Sequence, residues 1–247
     1  MSIQSASELE GLKRIGRIVR IALDNMARAV QPGVTTGELT EIGARTLSEY
    51  GTESSPPKVY GFPGAVCISV NDEAIHGIPS DRILLSGDLV TLDLTADKDG
   101  LVADAAVTVR VGRVSGTADA LVRCAERAFR EGAQAARAGN PVHEIGRAVE
   151  REVLRSGFNV MKALCGHGVR RAIHEAPTIP NYYDKRCGTH LTEGLVITIE
   201  PIIAAGSGRE RLLNDGWTIS TADGTLSAHY EHTMVITKTE PLLLTTA

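Results

Sequence analysis

The chain has 247 residues, a formal net charge of −4 and a sequence pI near 6.0. That length can bury one substantial core or two small ones, and the slightly acidic balance gives no general attraction to nucleic acid or to a membrane. The start MSIQSASELEGLKRIGRIVR lacks the apolar core of a signal peptide, no apolar run could span a bilayer, and the four cysteines show no CxxC spacing, so we expect a cytoplasmic protein with free thiols.

Two helix pairs are predicted along the chain. Residues ~6 to 30 have an amphipathic helical pattern, and a second helical segment follows from Gly37 to Gly51. The same order returns with residues ~117 to 138 and then with Asn140 to Gly157. Both of the second segments contain Glu-Ile-Gly, which indicates a faint internal repeat.

Each helix pair precedes strand-like runs, so the chain is expected to consist of two similar halves. Their bounds are about 1–112 and 113–247, with the junction near 111–116. Two halves of this kind, packed sheet to sheet, would leave a cleft between them where carboxylates from both could meet.

The segment DLVTLDLTADKDGLVADAAV holds five aspartates within two strand patterns around a turn. Asp99-Gly100 is a strong signal for a two-residue hairpin turn, because both residues tolerate the positive φ angles that it requires. This turn places Asp93 opposite Ala106 and Asp104 opposite Thr95. Both carboxylates therefore project from one small polar face as diagonal neighbours, while the other face is apolar.

Two interpretations of that carboxylate pair remain open. Asp93 and Asp104 repel each other unless water or a cation separates them, so they belong either to a solvated outer face or to a binding site. Asp88, Asp97 and Asp99 lie beside glycine or in the turn, where aspartate is favoured for local hydrogen bonding. The candidates for a function are Asp93 and Asp104.

Three further ligand-type residues abut apolar runs: His167 in CGHGV, Glu200 in LVITIEPII and Glu231 in AHYEHTMVIT. Taken singly, each fits a structural or solvated role. Pro201 ends regular pairing after Glu200, which is consistent with a strand end that opens onto a site.

Together these residues and the two aspartates form an oxygen-rich ligand set. Such ligands suit Mn, Fe, Co or Mg, and one imidazole extends the range to Zn. A single divalent ion would leave half of the four negative charges uncompensated, so a paired-metal hydrolytic site is predicted.

Five motifs follow one another along the chain: VNDEAIHGIP, the aspartate hairpin, GHGVRRAIHEAP, ITIEP and DGWTISTADGTLSAHYEHT. As an ordered set they resemble the type I methionine aminopeptidases of the pita-bread fold. The resemblance covers nearly the whole chain and implies one catalytic domain, 1–247, of the α+β class, with two pseudo-symmetric halves, antiparallel sheet and outer helices. Only 26 positions separate His174 from Glu200 (200 − 174), too few for an inserted helical subdomain, which favours the bacterial form.

The resemblance also implies an activity and a role for each ligand. The activity is removal of the N-terminal methionine from nascent proteins and peptides with a small second residue, by a metal-activated water. Two divalent ions (Co, Mn, Fe, Zn or Mg) are implied, one chelated by Asp93. His167 and Glu200 hold the second, and Asp104 and Glu231 bridge the pair. Glu200 is in addition the expected proton shuttle.

Other roles follow from the same resemblance. His174 stabilises the oxyanion, His76 contacts the scissile or the following amide, and Asn71 and Ser227 help to hold a monovalent cation. The implied partner is a peptide or nascent-chain N-terminus, with the ribosome as a candidate partner. A monomer is expected, without nucleic-acid specificity and without membrane contact.

A substrate pocket of apolar and aromatic residues is implied as well, suited to an unbranched thioether. Its residues are Phe62, Cys67, His76, His174 and Trp217.

The sequence departs from the family pattern around this pocket. Pro56 and Val59 replace a usual Cys and Tyr, Arg170 and Ala172 stand at usual glycines, and Ile173 replaces an aromatic residue. These departures keep an aminopeptidase with an altered side-chain preference as one alternative. A non-catalytic pita-bread binding module is another, although all five ligands are present.

Overall fold

The computed structural model describes residues 2–246. Its helices are α1 (Ala6–Ala29), α2 (Thr36–Glu49), α3 (Pro56–Tyr60), α4 (Gly116–Ala135) and α5 (His143–Arg155). Within the described range, no helix combines the length and the apolar character that a membrane crossing requires.

The first half of the chain contributes the strands β1 (Glu53–Ser54), β2 (Cys67–Val70), β3 (Glu73–Ile75), β4 (Leu89–Lys98) and β5 (Leu101–Arg110). The second half contributes β6 (Asn159–Val160), β7 (Cys165–Gly168), β8 (Glu175–Pro180), β9 (Val196–Ile199), β10 (Ile202–Ala204), β11 (Glu210–Leu212), β12 (Ile219–Thr221), β13 (Ser227–Val235) and β14 (Leu242–Leu243).

The two predicted helix pairs are confirmed, and side-chain caps set where the long helices begin. The Ser5 hydroxyl accepts the Glu8 N–H at the start of α1, and the Ser115 hydroxyl does the same for α4. Thr35 and Glu38 form a reciprocal capping box at α2. Such caps satisfy backbone N–H groups that would otherwise lack a partner in the first helical turn.

One large antiparallel sheet joins both halves of the chain. Its central order is β1-β4-β5-β13-β9-β7-β8, so β13 of the second half lies between β5 of the first half and β9. Helices α1 and α2 pack against the first-half strands, and α4 packs against β13. The expected α+β class, with antiparallel sheet and outer helices, is confirmed.

The β4–β5 hairpin has the predicted register. Asp93 pairs with Ala106 and Thr95 pairs with Asp104. The turn residues Asp99 and Gly100 both have positive φ, 55° and 74°. The apolar face of the hairpin packs against α1 in the core, which turns the polar face the other way.

The Glu-Ile-Gly repeat places a glycine at a close contact in each half. A Cβ built on Gly146 of α5 would lie 2.1 Å from the Tyr182 carbonyl oxygen, which is backbone. A Cβ on Gly43 of α2 would meet only side chains, 2.7 Å from the Met26 sulfur and 2.9 Å from a Val66 methyl. The two positions share a sequence motif but differ in how far their neighbours can move.

Gly146→Ala is therefore expected to lower the free energy of unfolding by about 2 to 3 kcal/mol, since backbone cannot yield as a side chain can. Gly43→Ala is the matched control. It has the same gain in helix propensity, and it is expected to lower the free energy of unfolding by less. Urea unfolding of both variants measures the difference. Equal losses would contradict the assignment of the close contact in α5.

Candidate active site

Asp93 and Asp104 border a cavity of about 460 Å³ on the polar side of the hairpin. Asp104 is only 6 % exposed, so its interpretation as part of a solvated outer face is wrong. The hydroxyl of Thr233 on β13 accepts the Asp104 N–H at 2.9 Å and donates to the Asp104 carbonyl at 2.7 Å. This pair of bonds fixes β5 against β13 beside the cavity.

The sheet order places one ligand-type residue on, or directly after, each of five neighbouring strands. Asp93 lies on β4, Asp104 on β5 and Glu231 on β13, and Glu231 pairs with the same Ala106 that faces Asp93. Glu200 follows the last residue of β9, as Pro201 predicted, and His167 lies on β7. Residues distant in sequence therefore meet across the width of the sheet.

The donor atoms of these residues converge. One donor atom each from Asp104, His167 and Glu231 lie within 4.8 Å of one another, and His167 Nε2 lies 3.5 Å from Glu200 Oε1. The Thr198 hydroxyl donates to Glu200 Oε1 at 2.8 Å and accepts the His167 N–H at 3.0 Å. Thr198 thus holds both ligand-bearing segments at a fixed spacing.

Burial and mutual repulsion make this cluster costly as an assembly of free carboxylates. Burial raises the pKa of Asp104 to about 6. Burial, followed by repulsion from Asp104 and other carboxylates, raises the pKa values of Asp93, Glu200 and Glu231 well above their usual ranges. A bound cation would reverse these shifts, because its positive charge favours the ionised form of each carboxyl.

The arrangement fits a divalent cation. Asp104 Oδ1 and Glu231 Oε1 are buried and find no hydrogen-bond partner within residues 2–246. Unpaired buried acceptors of this kind cost free energy unless something binds them. Carboxylate oxygens with one imidazole nitrogen are a donor set that suits first-row divalent metals and Mg²⁺.

An apolar pocket opens beside the acidic cluster in the same cavity. The rings of Phe62 and Trp217 meet edge to face, with centroids 5.4 Å apart and an interplanar angle of 85°. Asp215 Oδ1 accepts the N–H groups of Trp217 and Thr218, each at 2.9 Å, which holds the turn that presents the indole. Burial and the nearby carboxylates raise the pKa of the Cys67 thiol, so it stays protonated.

Two further histidines reach the cavity. The His174 ring lies 4.2 Å from the His167 ring, centroid to centroid. Burial, followed by the charges of neighbouring histidines, lowers the pKa values of His174 and His76. Both rings are therefore mainly neutral at neutral pH, with one N–H to donate.

All of the residues predicted as metal ligands, catalytic groups or pocket lining border this one cavity. They are Phe62, Cys67, His76, Asp93, Asp104, His167, His174, Glu200, Trp217 and Glu231.

The sequence profile of metallopeptidase family M24 matches residues 10–238 of the chain. The chain belongs to metallopeptidase family M24. Membership of M24 implies divalent-metal binding, and the cluster of Asp, Glu and His described above is the candidate site.

Full-length relatives of this M24 chain are methionine aminopeptidases. It is 46 % identical to methionine aminopeptidase 2 of Bacillus subtilis, over 99 % of each chain. It is 33 % identical to the solved methionine aminopeptidase of Thermotoga maritima, with a TM-score of 0.97 and complete coverage of both chains. The family predicted from the motifs is confirmed.

The fold extends to more distant M24 structures. The prolidase from Pyrococcus furiosus shares 23 % identity with this chain at a TM-score of 0.80, over 99 % of this chain and 65 % of the prolidase. That likeness concerns the fold alone.

The departures from the family pattern lie in different places in this M24 chain. Pro56 and Ile173 line the cavity, and Val59 is 57 % exposed. Arg170 instead lies 3.1 Å from a carboxylate oxygen of the buried Glu8 in α1. A guanidinium at this position therefore ties the loop before His174 to the first helix.

Sequence reasoning missed three polar residues of the site. Thr198 and His229 each stand two positions before a candidate ligand, and the two-residue period of a strand could have placed them on the ligand face. His229 is fully buried, with Nε2 3.6 Å from Glu231 Oε2. Tyr60 reaches His174 from a separate segment, and no local pattern signals that contact.

Proposed function

We propose that this chain removes the N-terminal methionine from peptides and nascent proteins whose second residue is small. The observation that carries the proposal is the cluster of four carboxylates and His167, all but Asp93 buried, directly beside an apolar pocket in one cavity. Full-length relatives that are methionine aminopeptidases support the same activity.

The ligand roles belong to this proposal. Asp93 would hold one divalent cation, His167 and Glu200 a second, and Asp104 and Glu231 both. Asp104 and Glu231 each have a buried oxygen without a hydrogen-bond partner among the described residues, which supports that role. Bound cations would polarise the carbonyl of the first peptide bond and lower the pKa of water.

The chain's own groups would move the protons. Glu200 would accept the proton of the attacking water on its carboxylate and return it to the departing amine. His174 donates its N–H to the oxyanion that develops on the carbonyl. His76, which directly follows β3, would contact the scissile or the following amide.

The pocket would select the first side chain. Phe62 and Trp217 form an aromatic corner, and Cys67 and Ile173 add buried apolar surface. A surface of this kind suits the flexible, polarisable thioether of methionine better than a β-branched or charged side chain. Ile173 gives this pocket wall a different shape from the one that an aromatic residue would give. An altered preference for the first side chain is therefore a specific alternative that can be tested.

A monovalent cation is a further part of the proposal. The Ser227 hydroxyl oxygen lies 3.0 Å from the carbonyl oxygens of both Asn71 and Glu73. The Ser227 N–H also donates to the Asn71 carbonyl, at 2.8 Å, so the hydroxyl proton is available to the Glu73 carbonyl. A monovalent cation would bind to the remaining lone pairs of the Ser227 hydroxyl and the Asn71 carbonyl.

The proposed substrate places the reaction in the cytoplasm, where proteins are synthesised, and we propose that the enzyme acts there as a monomer on nascent chains. Its cysteines, Cys67, Cys124, Cys165 and Cys187, are unpaired, which supports a reducing compartment.

Substrate choice tests the proposed function. With Mn²⁺ or Co²⁺ supplied, Met-Ala-Ser is expected to be cleaved, Leu-Ala-Ser to be cleaved much more slowly, and formyl-Met-Ala-Ser to resist. A free amino terminus is required because an exopeptidase of this kind must hold it at the cations. Peptide turnover is followed by chromatography.

Each alternative predicts a different result of that assay. Equal cleavage of the Leu and Met peptides would favour an aminopeptidase with altered preference. Cleavage of the formylated peptide would overturn the mechanism. Cation binding without turnover of any peptide would identify a non-catalytic binding module.

A further inference from the structure

Tyr60 is the last residue of the short helix α3 and stands at the border of the active-site cavity. Its hydroxyl oxygen lies 2.6 Å from Nδ1 of His174, the residue proposed to donate to the oxyanion. The two rings are 5.8 Å apart between centroids. A direct bond therefore links a surface segment to the ring that is proposed to contact the reacting carbonyl.

Local backbone structure explains how Tyr60 reaches this position. Pro56 and Pro57 begin α3, where their fixed φ angles and missing N–H groups are tolerated. Gly61 ends it with φ 72° and ψ 24°, a left-handed conformation that glycine adopts without strain. The chain reverses there, so that Phe62 enters the pocket while the Tyr60 ring stays above it, 47 % exposed as a residue.

The His174 ring packs against the His167 ring, but that contact does not set its tautomer. The loop before it is held by Glu175, whose Oε1 accepts the N–H groups of Arg171 and Ala172. These bonds fix the backbone but do not determine which ring nitrogen carries the proton. Among the described residues, the Tyr60 hydroxyl is the one hydrogen-bond partner of the His174 ring.

The direction of this hydrogen bond determines what His174 can do. If the phenol donates to Nδ1, a neutral ring must carry its proton on Nε2 and can donate it to an oxyanion. If Nδ1–H donates to the phenol, Nε2 presents a lone pair, which repels an oxyanion. Burial, followed by the Asp104 charge, raises the pKa of Tyr60, so the phenol keeps the proton that it would donate.

We propose that the Tyr60 hydroxyl donates to Nδ1 of His174 and so holds the tautomer with its proton on Nε2. Tyr60 is then a positioning residue, which acts on the reaction through His174 without touching the reacting atoms. This inference rests on the proposed function, because the Nε2 proton has a use only if an oxyanion forms beside it. The hydrogen bond joins residues 114 positions apart along the chain and so connects the α3 segment to His174.

The kinetic test uses Tyr60→Phe, which removes the hydroxyl and keeps the ring. With Met-Ala-Ser and Mn²⁺, kcat is expected to fall about tenfold, the effect of one lost hydrogen bond, while KM and cation stoichiometry stay unchanged. Tyr60→Phe combined with His174→Ala should equal His174→Ala alone, because Tyr60 acts only through that ring. Tyr50→Phe is the matched control, since Tyr50 is 45 % exposed and does not border the cavity.

A spectroscopic test reads the tautomer without turnover. Long-range ¹⁵N–¹H correlation spectra of the cation-free protein, with His174 assigned through His174→Gln, should show the proton on Nε2. In Tyr60→Phe the same ring should populate both tautomers.

A proton on Nδ1 in the unaltered protein would overturn the proposal, as would additive losses in the double variant or an unchanged kcat in Tyr60→Phe. If the unaltered protein cleaved no methionyl peptide, the proposed function would fail, and the ring spectrum would still decide the direction of the bond.

Discussion

Asp104→Asn and Glu231→Gln are each expected to weaken divalent-cation binding at least about a hundredfold and to abolish tight loading of a second ion. Replacing a carboxylate that is proposed to bridge two ions by an amide removes one negative charge and one good ligand oxygen. Residues that only hydrogen-bond to a metal ligand typically contribute about ten- to a hundredfold to metal affinity, so the loss of a ligand itself should cost at least as much. Both residues also have a buried oxygen that finds no hydrogen-bond partner among residues 2–246 and is available to a cation.

Calorimetric titration with Mn²⁺ measures stoichiometry and affinity in each variant. Asp99→Asn is the matched control, because it makes the same chemical change in the same hairpin, at an exposed turn position whose positive φ asparagine tolerates. Unchanged stoichiometry with full activity in Asp104→Asn or Glu231→Gln would remove those residues from the metal site.

His174→Ala is expected to lower kcat about a hundredfold or more while cation binding stays intact. Its assigned interaction forms mainly in the transition state, and the loss of one such donor typically has this size. Steady-state kinetics with Met-Ala-Ser separates kcat from KM, and calorimetry checks the cations.

An exposed histidine provides the control for that change. His190→Ala makes the same substitution outside the cavity and should leave kcat and KM unaltered. If His174→Ala raised KM alone, His174 would bind substrate in the ground state and would not stabilise the oxyanion.

The parts of the site that the sequence predicted depend on local rules. The Asp-Gly turn set the hairpin register, and the two-residue period of a strand then placed Asp93 and Asp104 on one face. Helix patterns and a shared Glu-Ile-Gly located both helix pairs to within a few residues. The ordered motifs supplied the family, which no single residue could have done.

The parts that escaped prediction depend on contacts between distant segments. The position of β13 between β5 and β9 brings Glu231 close to Asp104 and His167, and no pattern within β13 specifies those neighbours. The Tyr60–His174 bond and the Glu8–Arg170 ion pair likewise join segments more than a hundred positions apart. Such contacts follow from the packing of the whole sheet and its helices.

Trp217, edge-on to Phe62 in the pocket wall, is the single tryptophan of the chain. All indole fluorescence of the protein therefore originates at the proposed binding position for the first side chain. A ligand that enters this pocket changes the polarity around that fluorophore, so its arrival can be timed in a stopped-flow instrument without an attached dye. The protein thus contains its own optical probe of substrate capture, separate from any measurement of peptide cleavage.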